Sequence, residues 1–137
     1  ANDDSLFKVS YFLDPGRDHI NIIHEHLNRK KCRYTIIYSA EKYLDVIPYR
    51  ASKGKALRYL SYKWGIPLDN ILTCGDSGND EDMLRGDTCA VIVGNYSSEL
   101  EALKDSRKIY FAKKMYSEGI IEGMDHYNFL DKIKENR

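Results

Sequence analysis

The chain has 137 residues, 42% of them hydrophobic, which suits one compact domain of ordinary size with a buried core. Lys plus Arg and Asp plus Glu are equal at 21 each, so the charge balance gives no electrostatic argument for nucleic acid or an anionic membrane as a partner. No apolar run approaches the roughly 20 residues of a membrane helix, and the start, ANDDSLF, lacks the basic and apolar regions of a signal peptide. The three cysteines, Cys32, Cys74 and Cys89, are odd in number and widely spaced. They give neither a disulfide framework nor a zinc pattern, and a reducing, cytoplasmic setting is expected.

Residues 7–13, FKVSYFL, are rich in β-branched and aromatic side chains and read as a strand. Asp14-Pro15-Gly16 is a turn signal. From 17 to 29, Ile20, Ile23 and Leu27 fall at helical spacing. The basic cluster that follows (Arg29, Lys30, Lys31 and Arg33) reads as a solvated helix end and turn. Residues 33–39 and 43–48 read as two strands joined by a short turn, a hairpin, so the first section is β-α-β-β. The pattern then changes. Residues 53–64 form a predicted helix with Ala56, Leu57, Leu60 and Trp64 on one face, ended by Gly65 and Pro67. NILTC (70–74) and TCAVIVG (88–94) read as buried strands, 79–84 as a short helix, and 98–104 as helical with Leu100 and Leu103 inward. KIYFA (108–112) is a short edge strand. A final helix, 118–126, is built around Ile120, Ile121 and Met124. Alternating buried strands and helices predict a parallel α/β architecture, with the boundary between the two sections near 49–52.

Four carboxylates and an amide fall within residues 76–82 of the stretch CGDSGNDEDML. In an open parallel sheet, ligands gather at the carboxyl ends of the strands, and Asp76 lies just past such an end. Asn79 and Asp80 follow at the start of a predicted helix. One or two carboxylates, with waters and a substrate phosphate, make a Mg²⁺ site. Turn and capping chemistry alone would use the same residue types. Lys53 shifts the balance: a cation at the first turn of a helix opposes the helix dipole and needs another reason to be there. Among carboxylates it can balance charge and hold a transferring phosphoryl group. Lys55 reads as a surface lysine, Glu81 and Asp82 as exposed helix residues. His19, His24, His26 and His126 read as surface or helix-edge residues, and His24 and His26 point to different sides of their helix.

SKGKAL followed by CGDSGNDEDML resembles the third and fourth motifs of the haloacid dehalogenase-like phosphohydrolases. KVSYFLD, LDVIPYRASKGKALRYL, VIVGN and EGIIEGMDHY narrow the resemblance to sucrose-phosphate phosphatases and the phosphatase-like domains of sucrose-phosphate synthases, over about residues 7–130. The resemblance implies a Rossmann-like core with an α/β cap: residues 1–49 as part of the cap, and 50–137 as the C-terminal half of the core. It implies Mg²⁺-dependent hydrolysis of a sugar phosphate, sucrose 6-phosphate, through an aspartyl-phosphate. By motif position Asp76 is then a direct Mg²⁺ ligand, Asp80 a ligand directly or through water, and Asn79 a support of the same shell. Lys53 contacts the phosphoryl group. Lys8, Ser10 and Tyr11 are candidate sugar contacts.

The family's nucleophile motif, Asp-x-Asp-x-Thr/Ser after a strand, does not occur in these residues, and Asn2-Asp3-Asp4-Ser5 has the wrong spacing. The expectation is therefore that the chain by itself is inactive. The N-terminal half of the domain would come from elsewhere, or the chain would self-associate. The alternative is a non-catalytic or regulatory domain of a sucrose-phosphate synthase, a glycosyltransferase.

Overall fold

The computed structural model describes residues 7–13, 18–106 and 108–131. They divide into two compact units between Ser52 and Lys53. The turn expected at Asp14-Pro15-Gly16 and the start expected for the first helix at Arg17 lie outside the described residues.

The first unit contains strand β1 (Val9–Phe12), helix α1 (Asp18–Arg29), and strands β2 (Tyr34–Ser39) and β3 (Tyr43–Pro48). The three strands form an antiparallel sheet in the order β1-β3-β2. Ser10 pairs with Asp45, and Val9 and Ile36 both pair with Val46. Because side chains alternate along a strand, this register sorts the sheet into two faces. One carries Val9, Tyr11, Leu44 and Val46. With Ile23 and Leu27 of α1 it lines an apolar groove of about 590 Å³. The other carries Ser10, Phe12, Tyr43 and Asp45. The β2–β3 hairpin turns through Ala40 and Glu41 at φ +52° and +50°. Such left-handed pairs suit the twist of a tight hairpin and are most often filled by Asn or Gly. Here neither is present, so turn chemistry alone would not have located it.

The second unit contains helix α2 (Lys53–Trp64), strand β4 (Leu72–Gly75), helix α3 (Glu81–Leu84), strands β5 (Cys89–Ile92) and β6 (Ile109–Phe111), and helix α4 (Tyr116–His126). The strands form a parallel sheet in the order β4-β5-β6. All four residues of β5 are buried, as a central parallel strand requires. On one side of it, Ala90 and Ile92 pack with Leu84, Leu100, Leu103 and Ile109. Leu100 and Leu103 point inward as expected, though the segment Ser98–Leu103 is a 3-10 helix. On the other side of β5 lie Val91 and Val93, against α4.

Two helical faces differ from those read in the sequence. In α2 the buried position is Gly54, Leu57 and Leu60 are half-buried, Ala56 is exposed, and Trp64 is 63% exposed. In α4 the buried positions are Gly119 and Gly123, while Ile121 is 57% exposed and Ile120 is also exposed. A four-residue helical step rises about 6 Å and a two-residue strand step about 6.6 Å. Gly119 and Gly123 therefore match Val93 and Val91 one for one along the contact. A Cβ at Gly123 would lie 2.6 Å from Val91 Cγ1, and one at Gly119 would lie 3.0 Å from Val93 Cγ1. The branched side chains come from the strand and the smooth surface from the helix, the reverse of what an apolar periodicity search looks for. Among the described residues, no helix is long and apolar enough to cross a membrane.

Candidate active site

Strand β4 ends at Gly75, and the chain turns through Asp76 and Ser77 into the 3-10 turn Gly78–Asp80. Asp80 is buried, at 6% exposure, and its two oxygens are divided between two tasks. Oδ2 accepts from the backbone N–H of Asp76 at 3.1 Å and of Ser77 at 3.4 Å, closing the loop on itself. Oδ1 accepts from Lys53 Nζ at 2.5 Å. Lys53 Nζ also donates to Asn79 Oδ1 at 2.9 Å, and Ser77 Oγ donates to the same oxygen at 3.2 Å. Lys53, Asn79 and Asp80, distant in sequence, are thus in direct contact. The next residue of α2, Gly54, lets the helix start seat against α3, which follows the loop: a Cβ there would lie 2.6 Å from Asp82 Oδ2. Asp76 stands beside them with an exposed carboxylate that makes no hydrogen bond among the described residues. Lys53, Asp76 and Asp80 line one cavity of about 410 Å³.

Glu81 and Asp82 lie outside this cavity and pair with Arg85 at 2.8 Å and Arg58 at 3.2 Å, respectively. Lys55 is half-buried rather than a solvated surface residue, and it too stays outside the cavity. Of the histidines, His24 Nδ1 meets the Tyr34 hydroxyl at 2.9 Å, and His126 stacks on Tyr110 at 3.8 Å between ring centroids. Cys74 lines the cavity, but burial pushes its thiol pKa up, so it is held as the unreactive protonated form.

Asn95, Tyr116 and Ser117 complete the wall and had no role assigned from sequence. Asn95 follows the C-terminal end of β5 as Asp76 follows that of β4, and the same strand-end rule would have found it. Its Oδ1 accepts from Tyr116 N at 2.7 Å, while Tyr116 holds a left-handed φ of +50°. A non-glycine residue in that region is worth a look, and here a side-chain acceptor holds it in place.

In the first unit, Asp45 gathers two of the candidate sugar contacts. Its Oδ1 accepts from Ser10 Oγ at 2.7 Å, and its Oδ2 pairs with Lys8 Nζ at 3.0 Å. These residues line a cavity of about 360 Å³ together with the Phe12 and Tyr43 rings, whose centroids are 5.4 Å apart. Tyr11 is 46% exposed and borders both this cavity and the apolar groove on the other face. Asp45 was missed because LDVIP reads simply as a strand. The signal was its odd polarity within an apolar run.

Among the described residues, no three His, Cys, Asp or Glu side chains gather as a metal cluster. Mg²⁺ needs no such cluster, since it takes one or two carboxylates and fills its octahedron with water and substrate oxygens. The hard oxygen donors of Asp76, Asn79 and Asp80 fit that ion.

The fold is of the haloacid dehalogenase-like class. A haloacid dehalogenase-like hydrolase from B. subtilis superposes with a TM-score of 0.63 at 24% identity, covering 88% of this chain and 40% of that one. The family model for sucrose-6F-phosphate phosphohydrolase matches residues 1–128, and the chain belongs to that family. It is 36% identical over 132 residues to sucrose-phosphatase 1 of Nicotiana tabacum, covering 88% of this chain and 31% of that protein. The sucrose-phosphatase of Synechocystis sp. PCC6803, solved with sucrose and phosphate, superposes with a TM-score of 0.87 at 32% identity, covering 93% of this chain and 54% of that one. The chain thus spans about a third of the length of the curated relatives it matches, with shares of 31%, 36% and 31% for three of them.

Proposed function

We propose that the chain is part of a Mg²⁺-dependent sugar-phosphate phosphatase whose substrate is sucrose 6-phosphate. The observation that carries this reading is the direct contact of Lys53 with Asn79 and Asp80 beside the exposed carboxylate of Asp76, past the carboxyl end of a parallel strand. In this reading residues 1–49 belong to an α/β cap, and residues 50–137 form the C-terminal half of the core. The nucleophilic aspartate comes from sequence beyond these 137 residues.

The geometry supports the following roles. Asp80 and Asn79 fix the ammonium of Lys53, leaving its remaining N–H capacity for a phosphoryl oxygen. The Lys53 side chain is half exposed, so a phosphate can reach it. Charge developing on the transferring group is stabilised by such a preorganised cation at no cost of reorganisation. Asp76, with Asn79 and Asp80, would hold Mg²⁺. When bound, the ion neutralises phosphate charge and polarises the bond that breaks. Lys8, Ser10 and Tyr11, with Asp45, are assigned to the sugar hydroxyls. The partly apolar ring pair of Phe12 and Tyr43 in the same cavity suits a sugar face.

The test is phosphate release from sucrose 6-phosphate by the whole protein that carries this chain, with and without Mg²⁺. Lys53→Ala or Asp76→Asn should lower kcat by about 10²–10³-fold, the scale of one lost electrostatic stabiliser. Full activity in either variant refutes the residue assignment. A folded whole protein with no Mg²⁺-dependent turnover favours instead the non-catalytic domain of a sucrose-phosphate synthase.

A further inference from the structure

We propose that Glu99 is a positioning residue that fixes the conformation in which loop 76–80 receives Mg²⁺, an inference that rests on the phosphatase reading above. Glu99 lies on the 3-10 helix Ser98–Leu103, whose Leu100 and Leu103 are buried to 0% and 1% exposure in the core of the second unit. Its backbone is therefore anchored in closely packed material that has no room to shift. From that anchor, Oε2 accepts from Gly78 N at 2.8 Å and from Ser97 Oγ at 2.9 Å. Ser97 N in turn donates to Asp76 O at 2.8 Å. The acidic loop is tied at Asp76 and at Gly78, on both sides of Ser77, to a single support outside the loop.

Gly78 opens the turn that carries Asn79 and Asp80. The first N–H groups of a helical turn have no partner within it, and a carboxylate is a strong, charge-assisted acceptor for one of them. The internal bonds of the loop close it on itself, through Asp80 onto Asp76 N and Ser77 N, but do not attach it to the core. The Glu99 side chain makes such an attachment at Gly78, beside those of Ser97 N at Asp76 and Lys53 at Asn79 and Asp80. Outer partners of this kind orient ligands, and their removal typically costs about 10–100-fold in metal affinity or activity.

The experiment is a calorimetric Mg²⁺ titration of the whole protein, beside its Glu99→Ala, Glu99→Gln and Glu99→Asp variants, with kcat and KM for sucrose 6-phosphate measured on each. Glu99→Ala should weaken Mg²⁺ binding about 10–100-fold and lower kcat while leaving KM unchanged. Glu99→Gln keeps an oxygen in place for both bonds and should restore most of the lost affinity. Glu99→Asp keeps the charge but falls a methylene short of Gly78 N, and should bind as weakly as Glu99→Ala. It gives the reading if the alanine variant does not fold. Wild-type affinity in Glu99→Asp, or a glutamine variant as impaired as alanine, overturns the inference. A wild-type protein that binds no Mg²⁺ overturns the phosphatase reading and this inference with it. Normal wild-type binding with unaltered variants overturns this inference alone.

Discussion

Alanine in place of Gly123 sets two effects of opposite sign against each other, and the structure decides between them. Glycine in a helix interior is about 0.8–1.0 kcal/mol less favourable than alanine, so propensity alone predicts a gain of that size. Against it stands the new methyl, 2.6 Å from Val91 Cγ1 and 3.0 Å from Val91 Cβ. Val91 is fully buried on β5, paired with β4 on one side and β6 on the other, so it cannot recede. Overpacking of this kind costs about 1–3 kcal/mol, and a side chain this confined belongs in the upper part of that range. The net expectation is a loss of about 1–2 kcal/mol, read as a lower urea midpoint at unchanged m-value. Val91→Ala removes the obstructing methyl groups, so Gly123→Ala with Val91→Ala should be more stable than additivity predicts, by about 0.5–3 kcal/mol. A Gly123→Ala variant stabilised by about 1 kcal/mol, or a cycle without coupling, would mean that α4 does not sit on Val91 as described.

Two further outcomes are expected. Glu122 accepts from Lys113 N at 3.0 Å, Lys114 N at 2.9 Å and the Tyr110 hydroxyl at 2.7 Å, and these bonds hold its carboxyl down to about 2 from an ordinary 4.5. A depressed carboxylate contributes stability that is complete above the unfolded value and is lost as pH falls through the folded one. Glu122→Gln should therefore lower the melting temperature at neutral pH and flatten the stability profile between about pH 4.5 and 2; an acid limb identical to wild type would refute the assignment. Asp45→Ala should raise KM for sucrose 6-phosphate while leaving the hydrolysis of a small aryl phosphate unchanged. Equal loss on both substrates would mean that Asp45 acts on the fold rather than on the sugar.

The order of strands and helices was legible because buried parallel strands announce themselves as short apolar runs between turn residues, as NILTC and TCAVIVG do. What periodicity misjudged were the helical faces. It assigns burial to the largest apolar side chains, yet α4 buries Gly119 and Gly123, and α2 leaves Trp64 exposed. Bare residue type carries no sign of a neighbour that comes from another element with its own branched side chains. The candidate site was legible in Lys53, Asp76, Asn79 and Asp80 because their types are unusual where they stand: a cation opening a helix, carboxylates ending a strand. Asn95 and Asp45 carried weaker signals of the same kind, a polar residue past a strand end and a carboxylate inside an apolar run, whereas Glu99 looks ordinary in its own segment. Glu99 becomes informative only when the chain brings Gly78 N to within 2.8 Å of its carboxylate.

The same geometry separates the two aspartates that spacing treats alike. Each carboxylate oxygen accepts at two lone-pair sites. In Asp80, Oδ2 already serves two backbone amides and Oδ1 serves Lys53, so both oxygens are engaged and the group is buried. Direct metal contact would compete with the bonds that shape the loop. Asp76 has no such commitments in its side chain, and it is exposed to the cavity. Under the proposed phosphatase reading this predicts a division of labour, in which Asp76 would supply charge directly to the ion. Asp80 shapes the loop and fixes the lysine, and under that reading would reach the ion through water. On this argument an asparagine at 80 would damage folding and catalysis together, whereas one at 76 would damage catalysis alone.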